Sequence, residues 1–166
     1  MTNTHPQKPI TVMVGFPPGT STDTVARILG EKMSKDLGQP IIIKKKPGAG
    51  GTLAPADVVK ADPDSYTLLI SANAPMGSAA HLMKNLPYSP LMDFVAIGQT
   101  CWLPYLLVTN KTKGLDFYER VVEYTCANPD KLTIASIGEG TTSHLGMATF
   151  LNKAGLSRVT PRGCSD

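Results

Sequence analysis

Apolar and polar positions alternate in blocks along the first eighty residues. Ile-Thr-Val-Met-Val at 10–14 is a near-continuous apolar run. It predicts a strand over 8–15 buried on both faces. Val25, Ile28, Leu29, Met33 and Leu37 then recur at helical spacing, with Arg27, Glu31, Lys32 and Lys35 off the stripe. That pattern predicts an amphipathic helix ending at Leu37, stopped by Gly38 and Pro40. The Ile triplet at 41–43 predicts a second short buried strand. After it come a short helix over 52–60, with Leu53, Ala56 and Val59 inward, and a third strand over 66–71. Strand, helix, strand, helix, strand predicts a parallel sheet with right-handed crossovers.

Beyond it, 71–78 reads as a loop and 78–84 as a short helix. Leu-Pro-Tyr-Ser-Pro at 86–90 then breaks the pattern. The apolar runs 94–100 and 103–109 predict strands, with a boundary near 98–101 that divides the chain into 1–98 and 99–166. A helix over 116–127, a strand over 131–136, a helix over 142–153 and a strand start at 157–160 repeat the first architecture in the second part. The fold class is α/β. A parallel unit ending on a strand with no helix after it suggests a truncated domain rather than an unusual fold.

Composition narrows the classes. Of the 166 residues, 42% are hydrophobic and 17% charged, which is globular rather than disordered. The net charge is +3, and the one basic run, Lys44, Lys45 and Lys46, reads as a solvated strand end, not a nucleic-acid surface. No segment is long and apolar enough for a membrane span, and residues 1–9 lack the apolar centre of a secretion signal. Cys101, Cys126 and Cys164 are odd in number and widely spaced, so neither a disulfide framework nor a metal site is indicated, and no cofactor fingerprint is present.

Two stretches carry candidate chemistry. Gly-Phe-Pro-Pro-Gly-Thr-Ser-Thr-Asp at 15–23 leaves an apolar strand and opens a helix. Its prolines stiffen the turn, Gly19 permits angles closed to other residues, and Thr20 or Ser21 can cap. What remains is a set of backbone N–H donors at the positive end of a helix, an anion site. The second stretch, 136–144, is again a strand end, a Gly, Ser and Thr turn and a helix start. Two such turns, one per unit, can face one ligand from opposite sides.

The first stretch is not a Walker loop, and Pro-Gly-Ala-Gly-Gly at 47–51 lacks dinucleotide spacing and reads as a tight turn. Asp23 suits both a ligand amine or hydroxyl and the helix dipole. The hydroxyls of 136–143 suit both a carboxylate and helix capping. His144 and Trp102 have structural readings beside ligand-facing ones.

Five ordered motifs carry a resemblance: 15–23, 47–51, Asp-Ser-Tyr-Thr-Leu-Leu at 64–69, 86–90 with Asp93 and Phe94, and Asn-Pro-Asp-Lys-Leu-Thr-Ile-Ala-Ser at 128–136. In that order, and over about 9–163, the chain resembles the Bug family, the solute-binding proteins of tripartite tricarboxylate transporters. The resemblance implies a periplasmic-binding-protein-like fold (type II, Venus flytrap) of two mostly parallel-sheet lobes, incomplete here. It implies a periplasmic receptor that closes on a small carboxylate (a di- or tricarboxylate, an amino acid or an aromatic acid) and delivers it to membrane permease subunits. It assigns ligand contacts to Phe16, Pro18, Gly19, Thr20, Ser21, Thr22 and Asp23 in the first loop. Ser71 and Asn73 line the same cleft, and Ser136, Gly138, Gly140, Thr141, Thr142 and Ser143 form the facing loop, with His144 beside it as a further candidate contact. Thr20 stands where the family usually has a second glycine, and Glu139 places a negative charge in the second loop. The ending at Val159 to Gly163 approximates a motif that lies about halfway along family members, so the chain resembles a C-terminally truncated member.

Two other classes remain open from the residues alone. One is an α/β enzyme using the first loop to hold a carboxylate or phosphate, against which stands the lack of a nucleophile elbow. The other is a truncated product that binds nothing.

Overall fold

The computed structural model describes residues 5–110, 114–128 and 131–156, and the backbone of 160–163. The chain divides into two compact units, Met1–Cys101 and Trp102–Asp166.

In the first unit, β1 (Ile10–Val14) is the middle strand of three, with β2 (Ile41–Lys45) on one side and β3 (Thr67–Ile70) on the other. Both pairings are parallel, and they set Val14 beside Lys45 and beside Ile70. Parallel neighbours need a crossover between them. α1 (Ser21–Leu37) joins β1 to β2, and a 3-10 turn (Ala49–Gly51) with α2 (Leu53–Val58) joins β2 to β3. The middle strand buries Ile10, Val12 and Val14, as its apolar run predicts. β2 is different: Ile42 and Lys44 are exposed, because this strand is an edge, and only the face carrying Ile41, Ile43 and Lys45 is covered.

α1 starts and ends where the pattern places it. Thr20 is the N-cap and Gly38 the C-cap, its N–H donating to Ser34 O. The buried face is not the expected stripe, however. Asp23, Ala26 and Gly30 are buried, whereas Ile28 is 64% and Leu37 41% exposed. A Cβ on Gly30 would lie 3.2 Å from both Ile41 Cγ2 and Ile43 Cδ1. The small residues let the helix backbone approach β2 closely, and that close approach, more than the larger side chains, selects the face. The same correction applies to α2, which buries Ala54, Pro55 and Ala56 and leaves Leu53 exposed and Val59 half-buried.

After β3 the expected loop at 71–78 is instead helical from Asn73. A π-turn (Ala74–Ser78) runs into α3 (Ala79–Leu82). The break at 86–90 supplies an anchor. Tyr88 is buried, donates its hydroxyl to Pro75 O at 2.6 Å and meets Phe94 edge-on at 5.7 Å. Burial raises the pKa of this phenol.

The strands expected at 94–100 and 103–109 do not form, and neither run lies in a regular element. A strand exists by exchanging backbone hydrogen bonds with a neighbour, and neither run is paired with another strand among the described residues. Val95 and Ile97 in the first unit, and Trp102, Leu106 and Val108 in the second, are correspondingly exposed.

The second unit contains α4 (Tyr118–Ala127), β4 (Thr133–Ser136), α5 (Thr142–Lys153) and β5 (Thr160–Gly163). β4 and β5 pair in parallel, so β4, α5 and β5 form one strand-helix-strand unit. Tyr118 meets Phe150 edge-on at 5.8 Å, which ties α4 to α5. Of the strand start expected at 157–160, residues 157–159 lie outside the described residues and Thr160 opens β5. Among the described residues no helix is long and apolar enough to cross a membrane.

Candidate functional site: two helix-start loops

Parallel strands end together, so the register places Gly15, Ser71 and Lys45 at or just beyond one edge of the first sheet, the carboxyl edge where open α/β sheets hold ligands. The first loop leaves β1 there. Gly19 adopts φ +82, a left-handed conformation that favours glycine. Its N–H donates to Asp23 Oδ2 at 3.0 Å. Thr20 Oγ1 donates to Pro17 O at 2.8 Å and accepts from Asp23 N at 3.5 Å, while Thr24 N donates to Thr20 O. Those bonds use the amides of Gly19, Asp23 and Thr24. The N–H groups of Ser21 and Thr22, the first two of α1, have no partner among the described residues. Ser21 is exposed and Thr22 half-buried.

Asp23 is 3% exposed and sits behind these amides. Oδ2 also accepts from Arg27 Nε at 3.1 Å. Oδ1 is buried without a hydrogen bond and faces Lys45 Nζ at 3.7 Å. The Gly19 N–H first, and then Arg27, hold this carboxyl below its ordinary 3.8. A carboxylate whose folded pKa is lowered stabilises the fold above its unfolded pKa and loses that contribution as pH falls through the folded value. Stability should therefore decline below about pH 4, and Asp23→Asn should show a shallower decline there when urea midpoints are measured across pH. Asp64 carries the same sign through Lys8 and Tyr66 N–H, so the comparison is with wild type. Equal slopes for the two proteins would refute this role of Asp23.

Phe16 lies in the core with Val14 and Ala26, so its ring packs instead of pointing outward. The neighbouring turn at 47–51 buttresses it. A Cβ on Gly51 would lie 2.7 Å from the Phe16 ring, and one on Gly15 would lie 2.4 Å from Gly51 O. Pro18 and Gly19 are exposed and Thr20 half-buried. Ser71 is half-buried beyond β3, while Asn73 is exposed and opens the helical turn.

The second loop solves the same problem with other groups. Ser136 Oγ accepts from Gly138 N at 3.4 Å, Ser143 Oγ from Ile137 N at 3.3 Å and His144 Nδ1 from Gly140 N at 3.2 Å. The contact uses Nδ1 as an acceptor, leaving Nε2 as the ring nitrogen able to donate. Thr141, 2% exposed, donates its hydroxyl back to Gly138 O at 2.6 Å and lies 3.1 Å from Ser143 Oγ. The side chains thus serve the turn, and Thr141 makes no side-chain cap to α5. The first amides of α5, at Thr142, Ser143 and His144, are left without partners among the described residues. Glu139 is exposed.

Lys45 was missed by reading 44–46 as a solvated strand end. Lys44 and Lys46 are exposed and fit that description. Lys46 also pairs with Asp57, whereas Lys45 is three-quarters buried beside Asp23. The signal was strand parity: 41, 43 and 45 share one face of β2, the face under α1. No group of three metal-ligating side chains occurs among the described residues.

Two parallel α/β units, each with an open helix start at its sheet's edge, have the fold of the periplasmic binding proteins. MatC from Rhodopseudomonas palustris, solved with bound malate, matches 95% of this chain at 34% identity with a TM-score of 0.83. The periplasmic binding protein BugD matches 95% at 30% identity and 0.73. The chain belongs to the tripartite tricarboxylate transporter receptor family, whose family model matches residues 25–162. Protein BugT of Bordetella pertussis is 35% identical over 156 residues, 93% of this chain and 48% of BugT. The chain thus spans about half the length of the relatives it matches, covering 54% of MatC and 52% of BugD.

Proposed function

We propose that the chain serves in the periplasm as part of a solute receptor, binding a small carboxylate for the permease subunits of a tripartite tricarboxylate transporter, and that it performs no chemistry of its own. The observation that carries this reading is the pair of open amides at Ser21 and Thr22, held in place by Asp23. Charge-assisted hydrogen bonds from preorganised N–H groups at a helix N-terminus suit a carboxylate. Thr142, Ser143 and His144 offer the same donors in the second unit. The malate in MatC supports the ligand class, and BugD's description as a periplasmic binding protein supports the compartment.

Calorimetric titration with malate, citrate, adipate, glutamate and benzoate tests the reading. Saturable heat with at least one acid, accompanied by a rise in melting temperature, is the expected result. Absence of both across the panel would sink it.

A further inference from the structure

The turns that open α1 and α5 are built alike, Gly-Thr-Ser-Thr-Asp at 19–23 and Gly-Thr-Thr-Ser-His at 140–144. Both leading glycines are left-handed, at φ +82 and +74. Both threonines are N-caps of nearly identical backbone, φ -71 and ψ 160 against φ -74 and ψ 163. Each threonine donates its hydroxyl and its N–H to the carbonyl three residues before it, Pro17 O in one turn and Gly138 O in the other. The fifth residue then folds back on the glycine. Gly19 N–H donates to Asp23 Oδ2 at 3.0 Å, and Gly140 N–H donates to His144 Nδ1 at 3.2 Å.

The acceptor is where the two turns part. A carboxylate remains an acceptor throughout the neutral and mildly acid range. A neutral imidazole accepts through one nitrogen only, and protonation turns that nitrogen into a donor. Nδ1–H would then stand against Gly140 N–H, and a cation in the first turn of α5 would oppose the positive end of the helix. Histidines ordinarily change charge between pH 5 and 8. Gly140 N–H has no other acceptor among the described residues. Nor does any ion pair there involve His144. The charged groups on the elements about it are Glu139 in the turn, Glu119, Arg120 and Glu123 on α4, Lys131 ahead of β4 and Lys153 at the far end of α5. All are exposed, and Arg120 is paired with Asp116.

We infer that His144 is a proton-responsive latch: neutral, it ties Gly140 and the 138–141 turn to α5, and protonated, it releases them while Asp23 keeps the first turn closed. The latch belongs to the ligand-free chain, so its test stands apart from the receptor reading.

Nuclear magnetic resonance of the isotope-labelled chain, titrated from about pH 8 to about pH 5, follows both glycine amides and the His144 ring together. The protection of the Gly140 amide against hydrogen exchange should fall about tenfold, the worth of one hydrogen bond, with the midpoint of the His144 ring. Gly19 should keep its protection over the same range. His144→Asn places an amide oxygen near the position of Nδ1 that does not titrate, and should keep Gly140 protected throughout. Unchanged far-ultraviolet circular dichroism shows that the variant folds, and the comparison of the two glycines in the wild-type chain is decisive without it. Gly140 protection that ignores the His144 titration, or that falls together with that of Gly19, would overturn the inference, as would an equal fall in His144→Asn.

Discussion

Gly15→Ala should destabilise the first unit by about 2–3 kcal/mol, seen as a lowered urea midpoint. The added Cβ would stand 2.4 Å from Gly51 O, a backbone atom that cannot swing aside as a side chain can. Gly51 is itself constrained, with φ +94 and the Phe16 ring 2.7 Å from where its own Cβ would be. Relief at Gly15 therefore has to move the 47–51 turn, the ring and the first loop together. Gly19→Ala is the control. Nothing lies within 4 Å of its Cβ, so only the left-handed backbone resists, at about 1–2 kcal/mol. If Gly15→Ala were no more damaging than Gly19→Ala, the contact between the two glycine turns would not constrain the fold.

Ser21→Pro should leave stability nearly unchanged and cost about 10- to 100-fold in carboxylate affinity, the worth of one charge-assisted hydrogen bond of about 1.5–3 kcal/mol. Proline suits the first position of a helix, where no intrahelical bond is lost. The preceding Thr20, at φ -71 and ψ 160, already has the extended conformation that proline imposes on its neighbour. The substitution removes one N–H and little else. Ser21→Ala, which keeps the amide and deletes the hydroxyl, should bind nearly as well as wild type. Calorimetry with whichever acid the panel identifies separates the two. An affinity loss in Ser21→Ala equal to that in Ser21→Pro would mean that the hydroxyl, not the backbone, holds the anion.

Most regular elements of both units were legible because their signals are local, the helical turn at 73–78 being the exception. The run at 10–14, the cap at Thr20 and Gly38, and the turn before α5 are each decided within a few residues. The inward face of α1 was not legible from the apolar stripe, since a close fit against β2 favours Ala26 and Gly30 over Ile28. The runs at 94–100 and 103–109 have strand composition without strands, because a strand is a relation between two segments and composition describes one. The loops were found as helix starts, yet which amides stay open depends on where side chains turn. Thr141 binding Gly138 O instead of capping α5, and Asp23 taking Gly19 N–H, are decisions of three-dimensional geometry. Lys45 could have been found by counting parity along β2.

The placement of Asp23 also bears on how ionic strength should act. Asp23 offsets one of the two cations beside it, so the first loop holds an anion with little more than one net positive charge and with neutral amide dipoles at contact distance. Dissolved ions screen charges separated by about 8–10 Å or more, whereas hydrogen bonds made at contact are much less affected. An acid seated on Ser21 and Thr22 would therefore be selected by the direction of its lone pairs more than by its total charge, and would stay bound in salt that strips anions from a lysine-lined surface.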